Sequence, residues 1–241
     1  MVGIERGAVV DAQGDWFGVR ERVIALVEAR HRKLGWPPPQ YSIFETVLTA
    51  DEIAEVEAQS GVALPDEYRS FLAEVGAGGP GPELNLTSLC RIEGRWGWVW
   101  DAAGPEEAWH LNASGPFVES EQWADHQVET LRAAGYEPPE RDGGESYLDD
   151  YLSVFGDVGE GLWRWRRGCG AIHISDDGCG MTNWLIVVGP HRGELRDRDC
   201  GRNPPYDPLT DACGNRHTFR TWYLDWLERR EAKLTAGQQR L

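Results

Sequence analysis

The stretch "GVALPDEYRSFLAEVGAGGPGP", Gly61 to Pro82, leaves room for one short helix between a proline and a run of glycines. Pro65 lacks an N–H and suits a first helical residue, and Asp66 and Glu67 favour the positive helix start. Tyr68, Phe71, Leu72 and Val75 then recur at i, i+3, i+4 and i+7 as one apolar stripe. Gly76 is expected to close the helix in a left-handed conformation. So short a helix gains its stability by burying that stripe against other elements. The unit is therefore part of a larger core.

The elements around it follow from pattern. "DWFGVRERVIALVEARHRKL", Asp15 to Leu34, reads as an amphipathic helix with Val19, Val23, Leu26 and Val27 on one face. Arg30, His31, Arg32 and Lys33 suit its negative end, and "GWPPPQ" (Gly35 to Gln40) stops it as a stiff connector. Thr49 and Glu52 stand at capping-box spacing, so a helix begins at Thr49, buries Ile53 and Val56 and ends at Gly61. Past the glycines the period falls to two. "LNLTSL" and "RWGWVW" read as strands, with Trp96, Trp98 and Trp100 on one face, a half-buried sheet face or a stacking platform. Ser120 to Ala134 reads as a helix carrying Trp123 and Leu131, and "EPPERDGGES" as a surface loop. "AIHIS" (Ala171 to Ser175), "DDGCGM" and "TNWLIVVG" (Thr182 to Gly189) read as strand, turn and central strand. "RNPPYDPLTDACGNRH" reads as loop, and Phe219, Trp222, Tyr223, Trp226 and Leu227 mark a closing helix ready to pack on a sheet. Helices at both ends of a mostly antiparallel sheet define an α+β fold. The expected organisation is an N-terminal helix and connector over 1–40, one domain over 41–230 with a looser centre at about 94–161, and a tail at 231–241.

Composition excludes several function classes. Against 40 Asp and Glu stand 24 Lys and Arg, a formal net charge of −16, which opposes binding to nucleic acid or anionic membranes. It suits a basic protein partner attracted over long range, or serves solubility alone. No segment approaches the roughly 20 apolar residues of a membrane span. The first residues show no basic region followed by an apolar run, so the default expectation is a cytoplasmic protein. Five cysteines (Cys90, Cys169, Cys179, Cys200, Cys213) form an odd, irregular set, which favours reduced thiols over a disulfide framework. Cys169, His173 and Cys179 come nearest to a zinc pattern but lack the close pair such a site needs, so neither metal nor cofactor is expected.

Catalytic motifs are equally scarce. There is no G-x-S-x-G, P-loop, H-E-x-x-H or dinucleotide fingerprint. His173 with Cys179 is the one thiol–imidazole candidate, yet "DDGCG" between apolar strands is what a turn demands sterically. The paired carboxylates Glu106–Glu107 and Asp149–Asp150 are adjacent in sequence and do not converge on one substrate. The chain reads as non-catalytic.

With these elements in order, "LTADEIAEVEAQSGVALPDEYRSFLAEVGAGG" resembles the opening of the SUKH superfamily, specifically its Smi/Knr-type domain, named partly after a yeast cell-wall-synthesis regulator. Leu64, Pro65, Tyr68, Phe71 and Leu72 match that opening. "DGCGMTNWLIVVGPHRGEL" is similar to the family's central hairpin, through Gly178, Gly180, Leu185, Gly189 and Gly193. "TFRTWYLDWL", with Trp222 and Trp226, resembles its closing helix. Two departures are visible. The family often has asparagine where this chain has Gly76-Ala77-Gly78-Gly79, and an aromatic where Glu194, Leu195 and Arg196 follow Gly193. The resemblance implies a binding module without catalysis or cofactor. Bacterial members commonly act as immunity proteins that neutralise a nuclease- or deaminase-type toxin, while the alternative is an intracellular scaffold or regulator with endogenous partners. Under the immunity reading, the residues expected to meet a basic toxin domain are Glu106, Glu107, Glu119, Glu121, Asp149 and Asp150, in the loops and the looser centre.

Overall fold

The computed structural model describes residues 16–82, 85–99, 113–117, 169–179, 181–199 and 206–238, with isolated positions between 129 and 137. Helix α1 (Val19–Lys33) starts later than its apolar pattern suggests, because Gly18 is left-handed (φ 71°) and Trp16 turns inward ahead of it. The Trp16 indole N–H donates to Ser70 Oγ at 2.9 Å, and its ring meets Phe71 edge-on at 5.1 Å. One residue thus ties the N-terminal segment to the segment around Ser70 and Phe71. Helix α2 (Ala50–Ser60) has the expected capping box, with Thr49 and Glu52 satisfying each other's backbone N–H groups. Helix α3 (Asp66–Glu74) begins one residue after Pro65, which serves as the N-cap, and buries Tyr68, Phe71 and Leu72.

Strands β1 (Ser88–Ile92) and β2 (Arg95–Val99) form an antiparallel hairpin. Glu93 (φ 50°) and Gly94 (φ 81°) supply the paired positive φ values of a tight turn. Trp96 and Trp98 are buried, their indoles donating to Glu55 and to Tyr68 Oη, so they are core and not a stacking platform. Trp100 lies outside the described residues.

The second sheet is antiparallel, in the order β3 (Ala171–Gly178), β4 (Met181–Ile186), β5 (Leu195–Asp199), β6 (Tyr206–Pro208). β3 runs further than its apolar core suggested. Asp176, Asp177 and Gly178 lie on the strand, with Gly178 opposite Met181, and the turn begins at Cys179 (φ 54°). Residues 206–208, expected as loop, pair with β5 as a short edge strand ending at Pro208, where a missing N–H is harmless. The two sheets meet where Thr87 N–H donates to the Ile174 carbonyl at 2.8 Å.

Helix α4 (Phe219–Gln238) closes the structure and runs into the stretch 231–241 read above as a tail. Phe219, Trp222, Tyr223, Trp226 and Leu227 are all buried. They share one core with Trp16, Val19 and Val23 of the N-terminal segment, Leu64, Phe71 and Leu72 of the α2–α3 region, and Ile172, Leu185 and Leu195 of the sheet. Arg22 of α1 clamps Glu231 of α4 in a two-point ion pair at 3.0 and 2.7 Å. The opposite face of the sheet carries a smaller cluster of Ala171, Trp184 and Tyr206, with Phe117 against it. The architecture is a mixed α+β fold.

Candidate functional site

A groove of about 490 Å³ lies between the C-terminal half of α1, the connector after it, and the junction of the two sheets. Its construction starts at the end of α1. Gly35 is left-handed (φ 68°), its N–H donates to the Arg32 carbonyl, and Trp36 N–H donates to the His31 carbonyl at 2.9 Å. That double bond pattern is a Schellman closure, and it delivers Trp36 at a fixed place. The His31 ring then donates through Nδ1–H to the Pro37 carbonyl at 2.7 Å and meets the Trp36 ring edge-on at 5.4 Å. Three prolines follow, with φ locked by their rings, before Tyr41. Trp36 and Tyr41 both line the groove, yet keep 54 % and 64 % of their surface exposed.

The opposite wall depends on the glycine run. Gly76 does not adopt the left-handed conformation expected of it. Its role is closeness: a Cβ there would lie 2.9 Å from the Glu45 carbonyl oxygen and 3.0 Å from Phe44 Cβ. Gly79 is as tight, its Cβ position falling 2.8 Å from the Ile43 carbonyl oxygen. The segment Ile43–Glu45 therefore lies directly on Gly76–Gly79, fastened by the Glu45 N–H donating to the Gly78 carbonyl at 3.1 Å. This seating presents Ser42, Ile43 and Glu45 to the groove. Leu86, Thr87 and Ser88 come from the sheet junction, and Asp176 comes from the extended end of β3.

The lining holds both signs of charge. Glu45 and Arg30 border the same groove without forming an ion pair, while Asp176 accepts from the Gly178 N–H at 2.6 Å through one oxygen. Elsewhere, charge is tightly managed. Burial raises the pKa of Glu194, but hydrogen bonds from Arg196, His191 and Arg216 outweigh it and hold the carboxyl at about 2. Arg196 itself is fully buried.

The thiol–imidazole candidate does not assemble. His173 is buried on β3 against Trp184, and burial pushes its pKa down to about 4. Cys179 is exposed past the end of that strand. Six residue steps along the strand put the two roughly 20 Å apart. No group of three or more His, Cys, Asp or Glu that could hold a metal ion occurs among the described residues. Among these residues, no helix is long and apolar enough to cross a membrane.

Of the residues singled out by sequence, Glu106, Glu107, Glu119, Glu121, Asp149 and Asp150 lie outside the described residues, as does Gly180. Leu64, Pro65, Tyr68, Phe71, Leu72, Trp222 and Trp226 are core, Gly178 ends β3, and Gly189 and Gly193 lie in the turn after β4, all three glycines with positive φ. Trp36, Tyr41 and Glu45 were not singled out by the sequence, and Asp176, expected in a turn beside His173, Asp177 and Cys179, lies on β3. The signal for the first two was present in "GWPPPQY": aromatics on either side of a rigid proline run have no helix or strand partner to bury them.

A helical pair, a central antiparallel sheet and a closing helix define an α+β domain. The SMI1 / KNR4 family (SUKH-1) model matches residues 47–194, more than half of the chain, and the chain belongs to that family. Comparison with curated proteins and with solved structures returned no match. The match begins after Glu45, so the lining residues from Gly79 to Asp176 lie within the family match and those from Val27 to Glu45 precede it.

Proposed function

We propose that this chain is a non-catalytic protein-binding module that acts as an immunity protein, neutralising a basic nuclease- or deaminase-type toxin by occupying its surface. The observation that carries this reading is where the charge sits. Among the residues whose burial is described, no Asp or Glu is buried, whereas Arg196 and Arg198 are, so the described surface is shifted toward acid. An acidic surface of this kind speeds encounter with a basic partner and rejects acidic competitors. Family membership supports a role in protein–protein interaction.

The test is affinity capture of the full tagged chain at low and moderate salt, then reconstitution with the captured protein. A single basic partner, bound one to one and losing its toxicity in the complex, supports immunity. Several weakly held endogenous partners would replace it with the scaffold or regulator reading.

A further inference from the structure

We propose that the groove between α1 and the Gly76–Gly79 turn receives a single lysine or arginine side chain carried on a loop of a basic protein partner. The proposal rests on the protein-binding reading above and specifies the chemistry that one part of the interface selects. Trp36 and Tyr41 are aromatic rings held in the open by a helix closure and a proline run, so their exposure is built and not frayed. Exposed ring faces attract a cation through their quadrupoles. Glu45 and Asp176 add two carboxylates to the same lining, against the single fixed cation Arg30. Glu45 forms no ion pair among the described residues, and its backbone is seated by the close approach of Gly76 and by its hydrogen bond to the Gly78 carbonyl. A cationic tip therefore finds ring faces along its stem and carboxylate acceptors for its N–H groups. A neutral chain of equal length gains only contact area, and an acidic one meets both carboxylates. Arg30 limits the site to one cation, because a second beside it is repelled.

The test uses the full chain and blocked heptapeptides that differ only at the central residue: arginine, lysine, citrulline or norleucine. Binding is followed through the indole N–H signal of Trp36 in nitrogen–proton spectra, assigned with Trp36→Phe. The arginine and lysine peptides are expected to bind about tenfold tighter than the citrulline and norleucine peptides. The Glu45→Gln/Asp176→Asn double variant is expected to abolish that preference, and Glu228→Gln on the surface of α4 to leave it intact. Equal binding of norleucine, or a preference that survives the double variant, overturns the proposal. So does a concentration-dependent dimer lost in Trp36→Ala, which makes the occupant a second copy. Tighter binding of a short oligothymidylate than of the arginine peptide overturns it as well. Failure of the immunity reading is distinguishable. Groove-dependent arginine binding with no toxin neutralised removes the toxin and keeps the groove. Full neutralisation by the double variant does the reverse.

Discussion

At the scale of single residues, two positions carry energetic consequences that can be measured directly. His173 is enclosed between Thr87 and Trp184 and is held neutral by burial, its pKa lowered from 6.5 to about 4. Between those values the unfolded chain binds a proton that the folded chain refuses, so stability rises with pH across that window and falls on acidification. A single such group contributes a slope of at most about 1.4 kcal/mol per pH unit. Chemical denaturation of the wild type and of His173→Gln between pH 7 and pH 4 is expected to show a steeper loss in the wild type. Parallel curves would mean that the imidazole titrates normally. Gly76 is the second position. Its missing Cβ makes room for the Glu45 backbone carbonyl, which has no flexible end to swing away. Gly76→Ala is therefore expected to cost about 1–3 kcal/mol, as overpacking does. Because the segment displaced is the groove wall, the same variant is expected to weaken arginine-peptide binding.

At the scale of elements, the turn from β4 into β5 is held by charge. Glu194 accepts from the buried Arg196 at 2.9 Å and from Arg216 at 2.9 Å, with His191 at 3.1 Å. Removing the anion leaves a buried guanidinium short of its charged acceptor, so Glu194→Gln is expected to cost about 2 kcal/mol at pH 7. The folded pKa is depressed to about 2, so this contribution is present above the ordinary carboxylate value and disappears as pH falls through 2. The gap between wild type and variant in urea titrations should close over that range, and a gap constant with pH would assign the cost to packing. Elements of this kind differ in how visibly the sequence announces them. The stripe Tyr68, Phe71 and Leu72, the Thr49–Glu52 box and the aromatic face of α4 are local, repeat at the helix period, and were legible. The extension of β3 through Asp176 and the pairing of Tyr206–Pro208 were not, because Asp, Gly and Pro favour turns locally and only pairing with β4 and β5 in the fold makes them strands. The groove was illegible for the same reason. Trp36 and Asp176 line one groove only after α1 and β3 have been brought together by the fold.

At the scale of the whole molecule, the question is whether the segment ahead of the family match is an appendage or part of the domain. Trp16, Val19, Val23 and Phe44 precede residue 47, yet belong to the same core as Phe71, Leu185, Tyr223 and Leu227. Trp16 touches Phe71, Phe219 and Tyr223 at ring separations of 5.1, 5.9 and 5.9 Å, and Arg20 donates to the Val75 carbonyl. Deleting residues 1–46 would uncover α3 and α4 along that seam and remove one wall of the groove. Burying a large aromatic such as Trp16 is worth about 3–5 kcal/mol, a large share of the 5–15 kcal/mol that separates folded from unfolded domains. The full chain is therefore expected to unfold in one transition, with tryptophan fluorescence and far-ultraviolet circular dichroism tracing the same curve. The chain starting at Val47 is expected to lose that cooperativity and expose apolar surface to a hydrophobic dye. Two separated transitions in the full chain, with the later one unchanged by the deletion, would show instead that the segment docks on a domain already complete. Trp16→Ala supplies the intermediate case: one core requires it to lower the midpoint of the whole transition, whereas an appendage would lose only the early part.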